Sequence, residues 1–133
     1  MRFYSSALND LLRKIEQGHL SKLLIHGNNQ GFANTALNQI IKKLNLIVST
    51  FTIKEITPNK LRTIANNQNF FGQKELIKIT GASAALNKEM KDLLLNEQFH
   101  NIICFTSNDA LPPSGIRKFF EDQANLASLG CYY

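Results

Sequence analysis

The stretch HGNNQGFANT (26–35) follows a short apolar run and precedes a helical pattern, which is where α/β proteins hold phosphate groups. A phosphate-cradling loop needs the spacing G-x-x-x-x-G-K-[ST]. Its glycines let backbone N–H groups converge on the phosphates, its lysine reaches the β/γ-phosphates, and its hydroxyl holds Mg²⁺. Counted from Gly27, the second glycine, the lysine and the hydroxyl fall on Phe32, Ala33 and Asn34. Counted from Gly31, the lysine falls on Phe32 and the hydroxyl on Ala33. Neither register supplies a cation or a metal ligand. The segment NIICFT (101–106) runs into Ser107 and Asn108, so Asp109 lies too far along to organise a metal at a strand end. Gly27 and Gly31 therefore read as a degenerate P-loop whose glycines serve a tight strand-to-helix turn. Neither a nucleotide nor any other cofactor is expected.

Other chemistry is thinner. His19, His26 and His100 share no metal-ligand spacing, and no serine sits in a G-x-S-x-G elbow. His26, at a strand end, is the best placed of the three, although a hydrogen-bonded turn histidine accounts for it. Cys104 and Cys131 fall in apolar strand-like segments, where cysteine behaves as a small hydrophobe. No catalytic set and no metal site emerge. Fifteen Lys and Arg against ten Asp and Glu give a net charge of +5, with the cations scattered along the chain. Lys42, Lys43, Lys60, Arg62, Arg117 and Lys118 are the side chains a DNA-binding module would use, while a solvated surface is the commoner origin of such a balance.

One stretch remains unabsorbed. In NNQNFFGQKE (66–75), Phe70 and Phe71 stand between polar residues and a glycine, in what should be a solvent-facing turn. Either both rings fold back into the core, or at least one is held out for a partner.

The surrounding elements follow from hydrophobic periodicity. Leu8, Leu11, Leu12 and Ile15 predict a helix over 5–17 ending at Gly18, and KLLIH (22–26) predicts a strand buried on both faces. From Asn34, Leu37, Ile40, Ile41 and Leu44 restore helical spacing, and LIVSTFTI (46–53) reads as a strand. Thr57-Pro58 caps a short helix with Leu61, Ile64 and Ala65 inside. A strand is expected at ELIKIT (75–80), a helix over 83–97, a strand at 101–106, and a helix carrying Ile116, Phe119 and Phe120. GCYY (130–133) is expected as the last strand. Strict alternation with apolar strands predicts one three-layer α/β domain with a mainly parallel sheet of about five strands. Its size suits a single domain, and no run approaches the roughly 18–20 apolar residues that span a membrane. A cytoplasmic location is expected.

In this order and spacing the segments resemble the N-terminal domain of the delta subunit of bacterial DNA polymerase III, a clamp-loader subunit. The similarity is carried by HLSKLLIHGNNQGFANTALNQI (19–40), NFFGQKELIKI (69–79), ALPPSGIRKFFE (110–121) and the closing CYY (131–133). The resemblance implies a P-loop NTPase-like fold of AAA+/RecA type without ATP hydrolysis. It also implies a role in binding and opening the sliding clamp (the beta subunit) during DNA replication. The family grips the clamp with a hydrophobic pair after a short helix, which by alignment is Phe70-Phe71. Asn66, Gln68 and Asn69 would then form a polar rim, and Gly72 would turn the chain back into the next strand. Phe70 stands where leucine is usual in the family, and the leading glutamine's place falls on Asn66 rather than on Gln68. Phe70 is expected to point outward, while Phe71 is left between rim and core.

A full delta subunit continues into a helical lid and a helical collar, through which it meets the gamma/tau and delta prime subunits. Residues 1–133 match the first domain alone, so this chain is expected to bind the clamp without joining the pentameric loader by itself. Weak DNA contact inside the loader is compatible with the resemblance. Rival readings are an enzyme with a degenerate nucleotide-binding P-loop and a DNA-binding α/β module.

Overall fold

The computed structural model describes residues 1–83 and 85–133. Six strands form one sheet: β1 (Arg2–Tyr4), β2 (Lys22–His26), β3 (Ile47–Thr52), β4 (Glu75–Thr80), β5 (Ile102–Thr106) and β6 (Ala127–Gly130). Five helices connect them: α1 (Leu8–Glu16), α2 (Gln30–Leu44), α3 (Pro58–Asn66), α4 (Lys88–Asn96) and α5 (Gly115–Asp122). The strand order is β1-β6-β2-β5-β4-β3, and every pairing is parallel.

Two cores follow from the alternation of side chains along each strand. On one face, Leu11, Ile15, Leu37 and Ile40 of α1 and α2 pack on Leu23, Ile25, Leu76 and Cys104. On the other, Leu61, Leu94 and Phe120 of α3, α4 and α5 pack on Leu24, Ile77, Ile79 and Phe105. All five residues of β2 are buried, as a central parallel strand requires. The edge strand β3 is different, with Ile47 and Val48 about two-fifths exposed.

The sheet has one strand more than the expected five. β1, three residues long, pairs with β6 at the edge, in register Arg2↔Ser128 to Tyr4↔Gly130. The last strand lies at Ala127–Gly130 rather than over GCYY (130–133), so Cys131 follows it and is buried in the adjoining turn. Residues 5–7 form a 3₁₀ turn ahead of α1, and α2 begins at Gln30, four residues before the expected start. The helix expected over 83–97 is observed from Lys88, and its residue 84 lies outside the described residues.

Gly27 is the joint between sheet and helix. Its φ of 129° lies in the region favouring glycine, and a Cβ there would stand 2.0 Å from the Cys131 carbonyl oxygen. That contact is backbone, so it cannot rotate away. Gly27→Ala is expected to lower the unfolding free energy by more than about 3 kcal/mol, combining backbone strain with the clash. Urea denaturation of the variant beside the wild type measures the loss.

Candidate protein-docking site

The phenylalanine turn sits at the amino end of β4, directly after α3. Thr57 caps that helix by accepting from the Lys60 N–H at 3.2 Å, with Pro58 at its first position. At its other end the chain turns on Asn69. The Asn69 carbonyl accepts from Gly72 N–H at 3.1 Å, and its Oδ1 accepts from the N–H groups of Phe71 (3.0 Å) and Gln73 (3.1 Å). Its Nδ2 donates to the Gln73 carbonyl, and Gly72 takes the positive φ of 70° that completes the turn. Gln73 Nε2 donates to the Asn45 carbonyl at the end of α2.

Held this way, both rings face solvent. Phe70 is 97% exposed and Phe71 85% exposed, and the two stack edge to face with centroids 5.6 Å apart. Phe71, which the sequence left between rim and core, makes no return to the interior. Two adjacent side chains at the tip of a tight turn share one side of it, and the Asn69 bonds fix that side outward.

The base of the turn is fastened by a residue that sequence reasoning missed. Asn101 is fully buried. Its Oδ1 accepts from Glu75 N–H at 3.0 Å, and its Nδ2 donates to the carbonyls of Ile64 (3.0 Å) and Asn67 (2.8 Å). Its own N–H donates to the Ala65 carbonyl at 2.9 Å. A lone polar residue at the start of an apolar strand was the available signal. Of the proposed rim, Asn66 bonds to the Arg62 carbonyl and accepts from His100 N–H, Asn69 is half-buried within the turn, and Gln68 is exposed.

The degenerate P-loop is occupied by its own chain. Gly27 N–H donates to the Asp109 carbonyl at 3.1 Å, and Asn29 N–H donates to that of Cys131 at 2.9 Å. Gln30 Nε2 reaches the carbonyls of Gly27 and Asn108. Gly31 lies in the first turn of α2 with no positive φ, so only Gly27 meets a conformational demand. A cleft of about 190 Å³ beside the loop is lined by Asn34, Thr80, Thr106 and Ser107, with Lys78 as its cation. That lysine comes from β4, not from the loop, so the P-loop arrangement is not rebuilt.

His26 belongs to the same region and is sealed. Tyr132 OH accepts from Arg117 Nη1 at 3.3 Å and lies 2.9 Å from His26 Nδ1. Its proton therefore points to Nδ1, which leaves Nε2–H to donate to Ser128 Oγ at 3.0 Å. Burial, reinforced by the Arg117 charge, lowers the His26 pKa to about 4. Burial also pushes the thiols of Cys104 and Cys131 up to about 12 and about 11, which keeps them unreactive.

The six cations singled out for DNA are not gathered. Lys42 and Lys43 end α2 on one face, while Lys60 and Arg62 on α3 and Arg117 and Lys118 on α5 lie on the other. Lys43 pairs with Glu16, Arg62 with Glu97, Arg117 with Glu121 and Lys118 with Asp122. Among the described residues no group of His, Cys, Asp and Glu could hold a metal ion. No described helix is long and apolar enough to cross a membrane.

A parallel α/β domain is thus defined, with a strand-to-helix loop bonded to its own chain and an aromatic turn facing solvent. No protein-family model matches the sequence. The chain is 32% identical over all of its 133 residues to a probable DNA polymerase III subunit delta of Rickettsia prowazekii (strain Madrid E). Its fold superposes on the Bacillus subtilis DNA clamp loader delta protein (YqeN) with a TM-score of 0.65 over 93% of the chain, at 10% identity. The resemblance to the delta subunit is thereby shown, by sequence against the first and by fold against the second. The chain spans about two-fifths of the length of each of these proteins.

Two outcomes test the geometry. Asn101→Ala leaves the Glu75 N–H and the Asn67 carbonyl without a partner at a buried site, and the Ile64 carbonyl with the Asn67 N–H alone. It should cost about 3 kcal/mol in urea denaturation and speed hydrogen exchange at the Phe71 and Gln73 amides. His26, held neutral by the fold, contributes stability that is complete above its unfolded pKa near 6.5. That contribution, about 3 kcal/mol, is lost as pH falls from 6.5 through 4, because only the unfolded chain takes up the proton in that window. Denaturation of wild type and His26→Gln across this range should show the slope in the first and its loss in the second.

Proposed function

We propose that this chain is the clamp-binding domain of a DNA polymerase III delta subunit, and that Phe70 and Phe71 form its plug into the sliding clamp. The observation that carries the reading is the full exposure of two adjacent phenylalanines on a turn held rigid by Asn69 and Asn101. Water exacts a cost for such a pair in the free domain, and transfer into an apolar pocket contributes roughly 1.5–3 kcal/mol per ring. Because the turn is fixed beforehand, little ordering entropy is lost on docking, which is how a small aromatic anchor comes to dominate an interface.

Clamp opening would follow from differential affinity. A domain that binds the sprung clamp interface more tightly than the closed one shifts the ring toward opening by that difference. The P-loop supports a role without ATP: its amide groups bond to Asp109 and Cys131, and it carries no lysine. ATP-driven timing would then reside in gamma/tau subunits, reached together with delta prime through further domains of a full-length subunit in the cytoplasm.

The test is binding of this domain to the sliding clamp of its own organism, beside Phe70→Ala/Phe71→Ala. The double variant should weaken binding by at least about 100-fold, the equivalent of roughly 3 kcal/mol. Its thermal melting should be unchanged, because neither ring is in the core. A folded wild-type domain with no affinity for the clamp overturns the reading.

A further inference from the structure

The edge strand β3 stands beside the phenylalanine turn and is tied to it by two bonds. Ile47 N–H donates to the Lys74 carbonyl at 3.2 Å, and Gln73 Nε2 reaches the Asn45 carbonyl just ahead of the strand. Of the six large apolar side chains exposed among the described residues, four belong to this strand and this turn: Ile47, Val48, Phe70 and Phe71.

The outer side of β3 is open. The strand ends the sheet order and pairs with β4 alone. Successive residues of a strand send their backbone groups to opposite sides. Ile47 bonds inward, toward the chain leading into β4, so Val48 and Thr50 present their N–H and C=O groups outward. Those two N–H groups have no partner among the described residues. The next outward N–H, that of Thr52, is already taken by Glu55 Oε1 at 3.1 Å. The free stretch is therefore bounded, with the turn at one end and this cap at the other.

Edge strands are ordinarily guarded by shortness, charge, proline or a bulge. The opposite edge, β1, has three residues and includes Arg2. β3 has six, paired with β4 without interruption from Ile47↔Glu75 to Thr52↔Thr80. Neither a charged residue nor a proline occurs from Leu46 to Ile53. An uncharged, uninterrupted edge that begins beside two exposed aromatic rings is a template for a further strand.

We infer that an extended, uncharged segment of the partner engaged by the phenylalanine pair adds to the sheet along β3, bonding to the backbone of Val48 and Thr50. The inference rests on the clamp reading for the identity of that partner, and on the edge itself for the mode of contact. An apolar residue of the segment lies level with Ile47 and Val48 and continues the apolar surface of the rings. The rings anchor, and the strand pairing fixes the direction in which the partner runs across the domain.

The experiment uses the whole chain and the sliding clamp of its own organism. In hydrogen exchange, the Val48 and Thr50 amides should exchange freely in the domain alone and slow at least about tenfold in the complex. Thr50→Pro removes an outward N–H and spares the ladder to β4, the position in which an edge strand accepts proline. It should weaken clamp binding about tenfold, whereas Thr50→Val, which keeps the N–H, should bind as wild type does. Should Thr50→Pro fail to fold, the exchange of the wild-type amides still decides. Unchanged exchange at both amides in the complex, or a folded Thr50→Pro that binds as wild type does, overturns the inference and leaves the phenylalanine plug standing. A wild-type domain without affinity for the clamp overturns the clamp reading and this inference together. Slow exchange at the same amides in a domain that sediments as a dimer gives the edge to a second copy of the chain, and overturns it as well.

Discussion

Four hydrogen bonds made by Asn101 hold together three segments that would otherwise part at the amino end of the sheet: the end of α3, the turn after it, and the start of β4. The carboxamide is buried, so each bond it makes also relieves a backbone group that water cannot reach. The posture of the aromatic turn depends on this. With its base fixed by Asn101 and its tip by Asn69, the turn has no freedom to let Phe70 or Phe71 fold inward, and the rings stay out despite their cost in water.

The two ends of the sheet have been put to opposite uses. At the carboxyl end, where α/β folds usually bind ligands, the chain fills its own loop: Cys131, Asp109 and Gln30 take the polar groups that a phosphate would need. At the amino end the aromatic turn stands out from the sheet, with both rings in solvent. One end of the sheet thus turns its loop inward on its own chain, and the other turns its aromatic side chains out to water.

The alternation of strand and helix was legible because five strands are apolar runs or β-branched segments and the helices keep their spacing. What escaped was small or relational. A three-residue edge strand such as β1 carries no period to read, and its pairing with β6 depends on residues more than a hundred positions away. The last strand was placed on GCYY because those residues are apolar, yet Tyr132 is recruited instead to bond His26 and Arg117. The Phe-Phe pair was legible as an anomaly, and the exposure of both rings is what the fold adds. Asn101 and the buried Lys22 were not, because both acquire their roles only from carbonyls brought in by the fold.

The position of β2 sets a schedule for synthesis. It is the second strand made and lies between the fifth and sixth, so both of its neighbours are the last to appear. Gly27, next to it, fits against Cys131 at the far end of the sequence. As the chain grows, this fully buried strand therefore waits unpaired until the final thirty or so residues emerge. Contacts of such long range close slowly, because loop entropy is lost before they form. The interval in which KLLIH stands uncovered is when this polypeptide is most open to misassociation, and when a chaperone would matter most.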